Sequence, residues 1–516
     1  MRRFLIAASL VLALLLAAGT GGAALFVRAS LPVLEGTAHL PGLSAEATVA
    51  RDSLGVPLIS AASRADAARA LGFVHAQERF FQMDLLRRAA AGELAALLGA
   101  DLVPVDRRHR PHGFRPTARA AVESLPPAHR AVLSAYAEGV NAGLGALGAR
   151  PWEYAVLRQA PAPWREEDSF LVAAAMFIDL QLEAMPEEAQ YAALDATLPP
   201  ALVALLLPRG DEWDAPLDGG EAPPLRVPAP DELGGFRPEP APPDLRAVDS
   251  PAAGSNAWAV AGSRTAEGAA ALLAGDMHLG LRLPHIWFRA ALAFPGADGT
   301  PRRVAGVTLP GTPLVIVGST GRVAWSFTNS YGDYIDLVRL EMARPGVVRT
   351  AAGEAPLDTL RETIAVAGGE PVPLEVVRSP FGPVLLTGHD GAPLAVQWTA
   401  HRPEAFNLAL LELEEAASAE EALALGARVG IPAQNFTLAD ARGHVGWTTA
   451  GRVPRRVGRD GQRPVPSTDP DARWGGWLGP DEVPRLLNPP DGLVWTANNR
   501  AVSGEALARI GLGPYA

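Results

Sequence analysis

The chain has 516 residues, with 56 acidic and 45 basic side chains, ten histidines and a formal net charge of −11. That length exceeds one ordinary domain and supports a large core, while acidic residues spread along the whole chain leave no basic stripe to serve a nucleic-acid partner. Neither Cys nor Lys occurs, which excludes thiolate nucleophiles, disulfides, Ser-Lys dyads, Schiff bases and P-loops.

At the N-terminus, Arg2-Arg3 precedes an uncharged run from Phe4 to Val27. Such a run reads as a signal peptide or a single membrane anchor, and either implies export to the periplasm or beyond. Small residues from Ala18 to Ala24 offer a cleavage site, yet the apolar run continues through Leu25-Phe26-Val27. Any membrane contact is therefore expected through residues 4–27, within a leader of residues 1–30.

Residues 31–207 read as a mostly helical segment. Ala47 to Asp52 and Val56 to Ile59 form two short strands around a Gly55 turn. Ser63 is an N-cap for a helical hairpin from Ala65 to Leu98, broken near Gly92 and apolar at helical spacing. Further helices are predicted near Ala118–Leu125, Ala128–Leu147 and Ser169–Thr197. Residues 208–254 are Pro-rich and acidic, poor in apolar periodicity, and read as a spacer. Beyond Ser255 the character changes to short strands, at residues 271–274, 285–288, 312–317, 323–328 and 444–448. Helices followed by antiparallel strands predict an α+β fold.

The junction itself carries chemistry. Gly254-Ser255-Asn256-Ala257-Trp258-Ala259-Val260 reads as a turn entering a buried strand. By itself the Gly-Ser-Asn tripeptide is a loop end. Were the chain cut between Gly254 and Ser255, one residue would carry both a hydroxyl and a free α-amine titrating near ~7.7–8.0. Nucleophile and base would then share one residue. No Gly-x-Ser-x-Gly elbow competes, because Gly318-Ser319-Thr320-Gly321 is preceded by Val317. The histidines show no paired metal-ligand spacing.

Several segments, in order, resemble the penicillin acylase family of the N-terminal nucleophile hydrolases. They are Gly55-Val56-Pro57-Leu58-Ile59, Leu71 to Arg79, Gln82 to Arg88, Tyr136 to Ala142, the strand from Gly254, Asp276-Met277-His278-Leu279-Gly280, Pro310-Gly311-Thr312-Pro313, Ala324 to Thr328, Gly332-Asp333-Tyr334-Ile335-Asp336 and Thr496-Ala497-Asn498-Asn499-Arg500. The resemblance implies an αββα four-layer sandwich of an α segment and a β segment from 255 to 516, made as one precursor and cut at Gly254-Ser255.

It further implies that Ser255 attacks a small-molecule amide, with the Asn329 backbone N–H and the Asn498 side chain as oxyanion donors. His278 falls where the family places a residue whose main chain orients substrate or amine; a satisfied core histidine is the alternative. Ile178, Leu182 and Leu279 are implied for the acyl pocket, and Glu188, Asp333, Asp336 and the Ile335 carbonyl for a structural calcium ion, with no organic cofactor. Aromatic acyl, β-lactam and acyl-homoserine lactone substrates all stay open. The resemblance also departs from the pattern: the β segment is short for the family, and the arginine expected some twenty residues beyond Asn498 has no counterpart. An inactive, exported binding or scaffold protein is therefore the alternative to an enzyme.

Overall fold

The computed structural model describes residues 1–208, 210, 214–221, 224–237, 254–266, 268–330 and 332–511. Much of the Pro-rich spacer, residues 238–253, lies outside the described residues.

Helix α1 (Arg2–Ala29) has no buried residue. Its end is tied to the body, because Ala149 N–H donates to the Ala29 carbonyl at 3.0 Å and Ser30 is buried. Helix α2 (Arg64–Ala91) starts as predicted, with the Ser63 hydroxyl accepting from Asp66 N–H at 3.0 Å, and stops at Gly92 in the left-handed conformation at φ 65°. The expected hairpin is corrected here. Beyond Gly92 the helix Ala95–Leu98 is one turn long, and α2 packs instead on the helix Pro127–Gly145. Glycines explain the choice of partner: a Cβ on Gly139 would stand 2.0 Å from the Arg69 carbonyl oxygen, and one on Gly72 2.3 Å from that of Tyr136. Only side-chain-free positions allow two helix backbones to approach so closely.

The long helix predicted from Ser169 to Thr197 is divided into Glu166–Gln181 and Glu187–Thr197. Pro186 precedes the second piece and cannot continue a helix interior.

Strands β1 (Thr48–Arg51) and β2 (Pro57–Ser60) join β5 (Phe288–Pro295), β6 (Pro301–Thr308), β7 (Val315–Ser319) and β8 (Val323–Asn329) in a nine-stranded sheet. Gln434–Asp440, Val445–Ala450 and Arg485–Leu487 complete it. The α segment thus lends two strands to a sheet built mostly by the β segment, through the parallel β2–β5 pairing. A second, three-stranded sheet holds β3 (Gly254–Val260) between β4 (Leu272–His278) and Leu493–Thr496.

Strand β8 shows how the layers stack. Trp325 and Phe327 belong to the cluster shared with α2 and the helix Glu166–Gln181. Ser326 and Thr328, on the opposite face, meet the small sheet: a Cβ on Gly275 of β4 would stand 2.0 Å from Ser326 Oγ, and Thr328 Oγ1 donates to Thr496 Oγ1 at 2.9 Å. Large apolar groups toward the helices and small polar ones toward the facing sheet follow the period-two alternation of a strand. In β3 the same alternation buries Ser255, Ala257 and Ala259. The outer face of the small sheet presents Trp258, Leu272 and Trp495, all exposed. Strand β9 (Ile335–Arg339) lies in a separate six-stranded sheet beside Pro393–Trp398.

Candidate active site

Ser255 is the second residue of β3 and faces the large sheet, 92 % shielded from solvent at 8 % exposure. Its backbone N–H donates to Asn498 Oδ1 at 2.5 Å, and Asn498 Nδ2 donates to Ser255 Oγ at 3.0 Å. Asn329, the last residue of β8, adds its backbone N–H to the same Oγ at 3.3 Å. The three residues named from the sequence thus meet at one hydroxyl.

Each is held from behind. Asn498 adopts φ 62°, a left-handed conformation that asparagine tolerates better than most residues, and its Nδ2 also donates to the Asn329 carbonyl at 2.8 Å. That carbonyl receives a second donor, Asn435 Nδ2, at 3.3 Å, while Asn435 Oδ1 accepts from Trp447 Nε1 at 3.1 Å. The Asn329 side chain donates to the Leu180 carbonyl at 3.3 Å, so the α segment helps to fix it. Sequence reasoning missed Asn435 and Trp447. The available signal was Gln434-Asn435-Phe436, a polar pair inside an apolar strand.

His278 is not a core histidine. Half-exposed at the end of β4 and opposite Gly254 in the ladder, it pairs through Nε2 with Asp276 Oδ2 at 2.7 Å. Gly254 has little room: a Cβ there would stand 3.3 Å from His278 Nδ1 and 3.5 Å from Asn498 Oδ1.

From Ser255 a cavity of about 520 Å³ opens between the two segments, with apolar walls that include Met176, Leu180, Leu279, Trp287, Ile316 and Ile431. Leu279 lines it as expected. Ile178 and Leu182 do not line it and are corrected here. On the helix Glu166–Gln181 the phase facing the cavity is Ala173, Met176 and Leu180, spaced three and four residues apart, which turns Ile178 away and leaves Leu182 in the core.

The acidic residues named for calcium also meet: Glu188, Asp333 and Asp336 each offer an oxygen within 4.8 Å of the others. Ile335 opens β9 beside them, opposite Trp398. The sequence reading did not anticipate Arg456, whose buried guanidinium donates to Asp336 Oδ1 and bonds Asp333 Oδ1, both at 2.9 Å. Arg459 reaches Asp336 Oδ2 at 3.3 Å, and Trp474 Nε1 donates to that same oxygen. Glu188 accepts from Leu337 N–H. Burial, and then the neighbouring Asp336 and Asp333, push the Glu188 carboxyl well above the usual range. Asp333 Oδ2 is buried without a hydrogen-bond partner. Hard oxygen donors, one of them unpartnered, and three acidic groups in one place suit a divalent cation such as calcium.

Residues 46–515 match the family model described as penicillin amidase. The chain belongs to the penicillin amidase family. It is 34 % identical over 497 residues to the penicillin acylase 2 proenzyme of Pseudomonas sp. (strain SE83), covering 93 % of this chain and 62 % of that protein. It is 31 % identical over 489 residues to the acyl-homoserine lactone acylase QuiP of Pseudomonas fluorescens (strain Pf0-1), covering 92 % and 58 %. Among solved structures, a thermostable penicillin G acylase from Alcaligenes faecalis aligns with a TM-score of 0.41 and 23 % identity over 48 % of this chain and 44 % of that one. The chain thus spans about three fifths of the length of these curated relatives. As a family member it has the α+β fold of the N-terminal nucleophile hydrolases expected from the sequence, and the described residues supply two facing sheets and a helical layer against the larger one.

Proposed function

We propose that the chain is an exported, self-processing amidohydrolase that cleaves an acyl-amide through Ser255. The observation that carries this reading is the convergence on Ser255 Oγ of two donors, Asn329 N–H and Asn498 Nδ2, at one end of an apolar cavity.

In the uncut chain, Ser255 Oγ attacks the Gly254 carbonyl carbon. A C–O bond forms, the peptide C–N bond breaks, and the nitrogen takes the proton that the hydroxyl gave up. Water then hydrolyses the ester, leaving a Gly254 carboxylate and a free Ser255 α-amine. The α and β chains so produced stay joined through β2–β5 pairing and the shared core.

In the cut protein the α-amine accepts the Oγ proton, directly or through one water, as the hydroxyl attacks the substrate amide. Asn498 Oδ1, which accepts from the Ser255 nitrogen, orients that amine. The oxyanion takes hydrogen bonds from Asn329 N–H and Asn498 Nδ2, each worth ~2.7–4 kcal/mol of barrier. The amine product leaves with the proton, and water hydrolyses the acyl-serine ester to regenerate Oγ–H.

Calcium enters this reading as a structural ion only. Glu188 of the α segment and Asp333, Asp336 and the Ile335 carbonyl of the β segment would hold it, and it would supply positive charge that ties the two chains together. Helix α1 delivers the protein to the periplasm or beyond, as a removed leader or as an anchor. Because similar proteins carry the names penicillin acylase and acyl-homoserine lactone acylase, an acyl-lactone is a second substrate reading, and the apolar cavity accommodates its acyl chain.

Trapping tests the proposal. An acyl anilide mixed with the purified protein and quenched with acid within one turnover should leave the acyl mass on the peptide that begins at Ser255. Release of amine with no acyl-serine at that peptide would contradict it.

A further inference from the structure

The cavity that ends at Ser255 has an unusual balance of charge. Its described lining contains Asp179, Glu183, Glu187, Glu188 and Asp333 and no Arg, Lys or His. Two of the five belong to the cluster around Arg456, where Asp333 is ion-paired at 2.9 Å. The other three come from one stretch of chain: the helix Glu166–Gln181, the turn Leu182–Ala184 and the start of the helix Glu187–Thr197. Among the described residues, Asp179 has one ion-pair partner, the Arg282 guanidinium at 3.9 Å, with both side chains exposed. Glu183 has no ion-pair partner among the described residues, whereas burial pushes Glu187 up to about 7, so that it, like Glu188, carries little of the charge and Asp179 and Glu183 carry most of it.

A cleft lined by one sign of charge between low-dielectric walls focuses its field on whatever enters. Rejection of the wrong partner by like charge is also a recognised way of building specificity. We propose that this cavity selects substrates without negative charge: a neutral acyl chain joined to a neutral or cationic amine part, with carboxylate-bearing amines turned away by Asp179 and Glu183 at its mouth. The inference rests on the acylase reading and narrows its substrate class. A neutral acyl-lactone or acyl-amide fits; an amine that carries a carboxylate beside its amide does not.

The test uses the full chain and two chromogenic substrates that share one acyl group, octanoyl-4-nitroanilide and octanoyl-3-carboxy-4-nitroanilide. At ~0.01 M salt, where the Debye length is about 30 Å, kcat/KM should favour the neutral anilide by roughly 10-fold, the size expected of two like charges at cleft distances. At ~1 M salt, where the Debye length is about 3 Å, the preference should shrink several-fold. Asp179→Asn combined with Glu183→Gln should move the ratio toward the carboxylated substrate. Equal rates for the two substrates, or a ratio unmoved by both salt and the double variant, would overturn the proposal.

Calorimetric binding of the same two anilides to the Ser255→Ala protein reads the charge preference without turnover. Tighter binding of the neutral anilide to the variant, with neither anilide hydrolysed by the wild type, would support the selectivity and count against the acylase reading. Equal binding of both would count against the selectivity itself.

Discussion

Asn498 meets Ser255 across 243 residues of chain, accepting from its backbone nitrogen at 2.5 Å and donating to its hydroxyl at 3.0 Å. One amide therefore touches both groups that a one-residue nucleophile needs, the nitrogen that becomes the base and the oxygen that attacks. It also binds the Asn329 carbonyl at 2.8 Å, so the two oxyanion donors are coupled to each other.

Removing that amide should act on turnover. Asn498→Ala is expected to lower kcat by ~10²–10³ with little change in KM. Because Asn498 sits at φ 62°, alanine also strains the loop, whereas Asn498→Gly keeps the left-handed backbone. Steady-state kinetics of both variants separate the effects: equal losses assign the defect to the amide, and a glycine variant near wild type would remove Asn498 from the oxyanion hole.

Arg456 should be a stability residue. Its removal leaves Asp333 and Asp336 buried without their main counter-charge, a loss of ~3–5 kcal/mol for a broken buried pair. Urea unfolding of Arg456→Gln should show a loss of that size, and added calcium should restore part of it. An unchanged midpoint would mean that the carboxylates are neutralised in some other way. Failure of calcium to bind chelated wild-type protein by calorimetry would remove the ion from the account.

His75 predicts a pH dependence. Gly311 N–H donates to the Tyr136 oxygen at 2.9 Å, Tyr136 O–H donates to His75 Nδ1 at 2.8 Å, and His75 Nε2–H donates to Thr308 Oγ1 at 2.9 Å. Thr308 passes its own proton to the Phe288 carbonyl, so the imidazole is held in one neutral tautomer. Burial, with Arg79 adding to it, holds the ring down at about 3 against an ordinary value of 6.5. The unfolded chain binds this proton and the folded one does not. The stabilisation is therefore complete above pH 6.5 and is lost as pH falls toward about 3, contributing a slope of about 1.4 kcal/mol per pH unit within that window. Urea unfolding across this window should show a shallower slope for His75→Gln than for wild type; parallel slopes would contradict the assignment.

Gly254 should be sensitive to size. A methyl group there meets His278 Nδ1 at 3.3 Å and Asn498 Oδ1 at 3.5 Å, so Gly254→Ala is expected to slow self-cleavage several-fold without unfolding the precursor. A time course of chain separation on denaturing gels checks this, and an unchanged rate would show that the junction has more room than the geometry gives it.

What the sequence disclosed and what it hid divide along physical lines. Ser255, Asn329 and Asn498 were legible through the family resemblance, because each sits in a short motif of the ordered set; alone, Gly254-Ser255-Asn256 reads only as a loop end. Arg456 was not, because it lies 120 residues from Asp336 and nothing in its own neighbourhood announces a buried partner. Asn435 was hidden for a similar reason: only the antiparallel pairing of Gln434–Asp440 with β8 brings it to Thr328 and Asn329. Ile178 and Leu182 were placed in the pocket by the resemblance, and the helix Glu166–Gln181 instead turns Ala173, Met176 and Leu180 to the cavity. The hairpin expected around Gly92 failed because Gly72, Gly139 and Gly143 favour a close helix pair that is remote in sequence. The acidic lining near Glu183 could be read as residues, but only the fold shows that no Arg or His among the described residues lines the cavity with it.

The central claim is that Ser255 cuts its own chain and becomes the nucleophile. It is tested most directly by intact mass spectrometry with N-terminal sequencing of the purified wild-type and Ser255→Ala proteins. The account predicts two chains from the wild type, the second beginning Ser255-Asn256-Ala257, and one continuous chain from the variant. The same two chains from Ser255→Ala, or a wild type that stays whole under folding conditions, would contradict it.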